Sequence, residues 1–224
     1  DHFNASDAPA MMGVSPYKTR AQLLHEMHTG LTAEVDAATQ RRFDDGHRFE
    51  ALARPIAAKI LGEDLYPVTG SAGLLSASYD GLTMLEDVAF EHKTLNDELR
   101  SVMVDGCDGD ALPMHYQVQM EQQCMVAECP NVLFMASVWD GETLIEERHC
   151  WYTSNPQLAD KIRAGWDQFA LDLAAYVPPA AVEAKPIGRT PENLPALRIE
   201  VTGQVTASNL AEYKTHALEV FKGI

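Results

Sequence analysis

Apolar positions recur at two spacings along the chain. From Thr39 onward, Phe49, Ala53, Ile56, Ala57 and Ile60 fall three and four apart, which predicts an amphipathic helix ending near Gly62. The same period returns over 156–176, where Ile162, Trp166, Phe169 and Leu173 share one stripe, and residues 113–128 also read as a helix, one that carries Gln117. Nearer the start, Ser6-Asp7 is a helix N-cap signal and Gly13 a stop, and Ser15-Pro16 opens a short helix through Leu23 and Met27. Short strands are expected around 64–69, 73–79 and 88–94, and a hairpin from 131–139 to 143–152 around Asp140-Gly141. Residues 105–110, DGCDGD, open like a calcium loop but have Tyr116 at the twelfth position instead of Glu, so a solvated turn is expected.

Residues 1–176 therefore form one α/β domain. The Pro-rich stretch 177–195 is a linker, and 196–224 supplies one strand-like and one helix-like run. A single strand and helix cannot bury a core alone, so this tail either docks on the main body or begins a further module. The 224 residues, 46% hydrophobic, can fill a sizeable core. No run approaches the length of a membrane span, and DHFNASDAP lacks the character of a signal peptide, which together predict a soluble, cytoplasmic protein with no membrane partner. The first residue is not Met, so native residues are expected to precede it. Cys107, Cys124, Cys129 and Cys150 show no Cys-x-x-Cys pairing and read as reduced thiols, not as a zinc site or disulfide framework. A net charge of −16 argues against nucleic-acid binding by bulk attraction. Contacts to phosphate would then need a local basic groove or divalent metal.

Chemistry concentrates in SYDGLTMLEDVAFEHKT, residues 78–94. In a strand, Glu91 and Lys93 share one face while Phe90 and His92 share the other. A turn at Asp80-Gly81 and a hairpin back into 88–94 would bring the Asp80 carboxylate beside that of Glu91. Paired carboxylates suit a hard cation. The competing reading is a cross-strand salt bridge on a solvated sheet face.

Five stretches in this order resemble the phage lambda exonuclease and YqaJ-type viral recombinase family, part of the PD-(D/E)xK nuclease superfamily. S-Y-D-G resembles the family's S-x-D-G, which implies that Asp80 is a metal ligand and Ser78 a phosphate contact. E-H-K resembles E-x-K, implying Glu91 as second ligand and Lys93 as catalytic lysine, with the His92 backbone carbonyl as a further ligand. G-H-R-F-E-A resembles the G-x-x-x-E helix and places Glu50 at the edge of the metal site; His47 beside it is either an assistant or a surface residue. Y-Q-V-Q resembles the helix glutamine motif, so Gln117 would face the scissile phosphate, with Gln119 as the alternate. N-A-S-D resembles the N-terminal segment in which Ser6 would hold a 5′ phosphate.

The resemblance covers about residues 4–176 and implies a restriction-endonuclease-like core, a central mixed sheet flanked by helices, with the C-terminal segment as a small appendage. It implies a Mg²⁺-dependent deoxyribonuclease, with Mn²⁺ able to substitute, that digests linear double-stranded DNA from 5′ to 3′ in phage-type recombination. Its implied partners are DNA ends, a single-strand annealing protein and two further copies of itself in a ring-shaped trimer. Such a ring would line its channel with Arg41, Arg42, Arg48 or Lys18 and keep the acidic surface outside. Lys93 beside bound cations would have a depressed pKa. The alternatives are an endonuclease of the same superfamily and a non-catalytic DNA-binding recombination scaffold.

Overall fold

The computed structural model describes residues 2–31 and 37–178. The expected strand and helix of 196–224, nearly all of the expected linker and the side chain of Arg42 lie outside the described residues.

The chain opens with a two-residue strand, β1 (Phe3–Asn4), a 3₁₀ turn at Ala5–Asp7 and the short helix α1 (Ala8–Met11). Asn4 caps the 3₁₀ turn, its side chain accepting from the Ser6 N–H at 3.0 Å, and Asp7 of the expected Ser6-Asp7 signal takes the N-cap position of α1 without a side-chain hydrogen bond. Helix α2 (Arg20–Thr29) begins later than Ser15-Pro16, because Thr19 and Gln22 form a capping box. The Ser15 hydroxyl instead accepts from the backbone of Tyr17 and Lys18 and shapes a loop. Helix α3 (Ala37–Leu61) follows and retains Pro55 in its interior.

Strands β2 (Tyr66–Ala72), β3 (Leu75–Leu82) and β4 (Val88–Thr94) match the three expected strands, with β2 and β3 shifted a few residues on. Asp80-Gly81 is not a turn but lies within β3. The reversal is made by 83–87, where the Thr83 hydroxyl accepts from the Asp87 and Val88 backbone N–H groups. After β4 comes α4 (Asp97–Val102), a helix that hydrophobic periodicity did not reveal because it is only six residues long. Asn96 caps it through the Leu99 N–H.

The DGCDGD stretch is only partly solvated: Gly109 is buried in a 3₁₀ turn. A Cβ there would lie 2.6 Å from the Tyr152 Cα, so only glycine fits. Helix α5 (Met114–Ala127), the hairpin β5 (Asn131–Asp140) and β6 (Thr143–Thr153), and α6 (Pro156–Ala175) complete the domain as expected.

The sheet runs β1-β3-β4-β5-β6, with β2 also on β3, and β4–β5 is a parallel pair joined through α4 and α5. Both faces are covered. Val132, Phe134 and Ala136 of β5 pack toward Tyr116, Met120 and Cys124 of α5, while Leu133 and Met135 pack with Ala53 and Ala57 of α3. Two-sided burial explains why β5 reads as a continuous apolar run instead of an alternation.

A third layer of α1, α2 and α6 packs on the far side of α5, around Met11, Leu23, Val118, Ile162, Trp166 and Phe169. Sandwiched between sheet and outer helices, α5 buries three consecutive polar residues, Glu121, Gln122 and Gln123. Glu121 accepts from the Tyr152 hydroxyl, the Ser154 hydroxyl and the Asn155 N–H, and the Gln122 and Gln123 amide groups donate toward the sheet, while Gln123 Oε1 has no partner among the described residues. The outcome is a restriction-endonuclease-like fold. No helix among the described residues is long and apolar enough to cross a membrane.

Candidate active site

The site forms where β3 and β4 part. Along β2 the step from Tyr66 to Val68 faces a longer step, Leu82 to Tyr79, on β3, so β3 carries one extra residue in the Asp80-Gly81 region. Such a bulge bends the strand and re-aims its side chains. Gly81 is needed here because a Cβ would come 2.9 Å from the Leu65 Cβ.

Pairing of β3 with β4 is confined to Gly81 and Leu82, and with β1 to Leu75 and Ser76. The exposed β3 carbonyls are taken up by helix side chains: Ser76 accepts from Gln122, Ser78 from Gln123 and Asp80 from Arg54 of α3.

The Asp80 side chain crosses to β4, where Oδ2 accepts from the His92 backbone N–H at 2.8 Å. Glu91 is buried and projects toward α5. Its Oε1 accepts from Lys93 Nζ and from Gln119 Nε2 at 2.7 Å, and its Oε2 accepts from Gln123 Nε2 at 2.6 Å. Gln119 and Gln123 lie one helical turn apart on α5, so the helix grips one carboxylate with two amides. Glu91 is thus enclosed and Lys93 half-buried beside it, so the pair is not a salt bridge on a solvated face.

His92 points the other way and is buried, with Nε2 2.7 Å from the Ser137 hydroxyl, which also accepts from Trp139 Nε1. Burial, reinforced by Lys93, lowers its pKa to about 4. The ring is neutral and packed, as its strand parity predicts.

Burial first, then the neighbouring Glu91 and Glu50 carboxylates, push the Asp80 carboxyl up to about 8, against the opposing effects of Lys93 and the His92 N–H. For Lys93, burial alone would lower the pKa, but the Glu91 and Asp80 carboxylates outweigh it and the net direction is upward. This is opposite to the expected depression, which presupposed bound cations; with the Glu91 and Asp80 carboxylates beside it, Lys93 stays an ammonium.

The donor set is what a hard cation requires: anionic oxygens from Asp80 and Glu91 that repel one another, with Glu50 adding to the repulsion. Among the described residues, no three His, Cys, Asp or Glu side chains are drawn into one metal-sized cluster, because Glu91 is turned to Lys93 and the glutamines. The residues fit such an ion in donor chemistry and charge.

Other sequence-selected residues lie at varying remove. Glu50 joins the cluster electrostatically and is held by His47 Nδ1 at 3.2 Å. Gln117 is not on Glu91; its amide donates to the Asp110 and Leu112 carbonyls and ties α5 to the preceding loop. Gln119, expected as a phosphate contact, and Gln123, absent from the expected set, are the residues that reach Glu91. The i+4 spacing of Gln123 from Gln119 carries meaning only once the face of α5 toward β4 is known.

Ser78 is exposed, its hydroxyl 3.2 Å from that of Thr69, and Ser6 is exposed with its hydroxyl on Asn4. Arg48 pairs with Asp45 and lies over the Phe49 ring, and Lys18 pairs with Glu26 and Asp7. Of the expected basic contacts, Lys18 and Arg48 are thus engaged by acidic neighbours, while Arg41 is exposed.

A profile of the YqaJ-like viral recombinase domain matches residues 2–130, more than half of the 224. The chain belongs to the YqaJ-like viral recombinase domain family. Three solved structures share its fold. The LHK-Exo complex with dAMP is 19% identical, covering 78% of this chain and 88% of its own, with a TM-score of 0.58. The alkaline exonuclease LHK-Exo from Laribacter hongkongensis is 21% identical over the same shares, with a TM-score of 0.56. A phage-related exonuclease from Haemophilus somnus 129PT is 12% identical, covering 78% of this chain and 96% of its own, with a TM-score of 0.55. No curated protein matches the sequence significantly. The YqaJ match contains the whole Asp80, Glu91 and Lys93 cluster and both glutamines that hold it.

Proposed function

We propose that this YqaJ-family chain is a metal-dependent deoxyribonuclease that degrades linear double-stranded DNA from its ends, 5′ to 3′. The observation that carries the reading is the joint placement of Asp80, Glu91 and Lys93 at the parting of β3 and β4, with Glu91 gripped from α5.

Asp80 and Glu91, with Glu50 at the edge and the His92 carbonyl as a further oxygen, would hold Mg²⁺ or Mn²⁺. Such an ion supplies charge stabilisation for the phosphoryl oxygens and a hydroxide near neutral pH. The protein's own groups do the rest. Gln119 and Gln123 fix the orientation of Glu91. The His92 N–H fixes that of Asp80. Lys93 Nζ orients the attacking water and counters charge developing on the phosphate. Ser6 and Ser78 are the proposed phosphate contacts, and a DNA end is the proposed substrate.

The test is digestion of linear 5′-phosphorylated duplex DNA with Mg²⁺, beside a closed circular control and Glu91→Ala. Loss of the linear DNA alone, abolished in the variant, supports the reading. Cleavage of the circle would make the enzyme an endonuclease. A folded protein that cuts neither would return the fold to a scaffold role.

A further inference from the structure

The loop between α1 and α2 presents an aromatic ring to solvent. Tyr17 is 80% exposed, more than any other described Tyr, Trp or Phe. Its placement is built: Pro16 precedes it, and the Ser15 hydroxyl accepts from the Tyr17 and Lys18 N–H groups at 3.2 Å each. The ring stands edge-on to His115, with centroids 6.2 Å apart at 89°. His115 packs on Tyr116 at 4.0 Å, and Tyr116 on Phe134 of the core at 5.3 Å.

This ladder of rings runs up to the candidate site: His115 and Tyr116 lie one helical turn before Gln119, whose amide holds Glu91, and Phe134 is the register partner of Glu91. His115 Nε2 is buried without a hydrogen-bond partner among the described residues. An exposed π-face held in place by its own loop suits a ligand that offers a flat ring. In a chain of net charge −16 whose cations Lys18 and Arg48 are already paired, bulk attraction cannot supply the grip on DNA.

We propose that Tyr17 binds a nucleobase near the end of the strand being cut, the base stacking on its ring while the phosphate leads toward Lys93. The proposal rests on the nuclease reading above. Stacking does not depend on base identity, because every base has a π-face. The contact therefore strengthens binding without conferring sequence preference.

The test uses the full chain and oligonucleotides carrying 2-aminopurine at the terminal, second, third or an interior position, in a cleavage-deficient Lys93→Ala background with Mg²⁺. Terminal-region 2-aminopurine is quenched on binding, and Tyr17→Ala restores its emission while Tyr17→Phe does not. With Lys93 intact, Tyr17→Ala raises KM by about 5- to 150-fold with little change in kcat, and Tyr17→Phe restores KM.

Unchanged quenching and KM in Tyr17→Ala, with wild-type protein still digesting DNA, would overturn this inference and leave the nuclease intact. A wild-type chain that neither binds nor digests DNA would overturn both. A change in sedimenting mass of Tyr17→Ala with quenching unaltered would make Tyr17 a contact between copies of the chain and would also overturn the proposal.

Discussion

Asp80→Asn should stabilise the metal-free protein while destroying its activity. The carboxyl of Asp80 is held at about 8 in the folded state, first by burial and then by Glu91, against about 3.9 in an unfolded chain. For an acid raised in this way, the stability present below pH 4 is lost progressively as pH rises through about 8. At pH 7 the unfolded chain gains ionisation over about three pH units that the folded chain cannot match, a ceiling of about 4 kcal/mol at about 1.4 kcal/mol each. Relaxation of the pocket and coupling to Glu91 reduce this to an expected gain of about 2 kcal/mol for Asn, which stays neutral and can still accept from the His92 N–H. In a domain of this size that is about 4 to 8 °C in Tm. The assay is thermal unfolding of both proteins in chelator at pH 4.5, 7 and 9. The gap should be near zero at pH 4.5, be clear at pH 7 and persist at pH 9. Added Mg²⁺ should raise the Tm of the wild type but not of Asp80→Asn. If Asp80→Asn is no more stable than wild type at pH 7 and 9, the carboxylate crowding inferred from the fold is refuted.

Three further predictions follow from the same geometry. Lys93→Ala should lower turnover by about 10²- to 10⁴-fold while DNA affinity in filter binding is retained; parallel loss of both would contradict its assigned role. Gln123→Ala frees Glu91 Oε2 and the Ser78 carbonyl, so kcat should fall about 10- to 100-fold and metal affinity with it, measured by Mg²⁺ titration of activity. Gly109→Ala forces a methyl against Tyr152 and should cost about 2 kcal/mol or more in urea denaturation, with unchanged kcat in the protein that remains folded.

Much of the fold was legible because long amphipathic stretches announce themselves. Ile162, Trp166 and Phe169 gave α6, and the Asp140-Gly141 pair gave the β5–β6 hairpin with Gly141 at φ 60°. What periodicity could not show was a strand that changes its count. Asp-Gly is an ordinary turn signal, yet the residue inserted in β3 turns Asp80-Gly81 into a bulge and moves the reversal to Thr83–Asp87.

The candidate cluster was legible where motif order singled out Asp80, Glu91, Lys93 and Glu50, which the fold brings together. The helix motif put Gln117 first, whereas it is Gln119 that reaches Glu91. The choice depends on which side of α5 faces β4, and α5 is buried on several sides, so its apolar pattern carries little phase. Gln123 was hidden for the same reason, since a polar residue with no exposed face looks like any other in a helix of mixed composition.

The layering of α5 also sets the smallest piece of this protein that can be made on its own. The recombinase profile stops at residue 130, within sight of the last site residue, and invites truncation there. Such a fragment would lack β5, the parallel partner of β4 along all seven residues of the strand that carries Glu91 and Lys93. A longer piece ending at 155 would keep the sheet but strip away α6, baring Val118 and leaving the Gln122 carbonyl without the Trp166 N–H it accepts. Gln122 is the neighbour of Gln123, so that loss reaches Glu91 through a single peptide bond. The unit of expression, crystallisation or transplantation into another protein is therefore the stretch that includes Phe169, and the boundary drawn by packing falls some forty residues beyond the one drawn by sequence similarity.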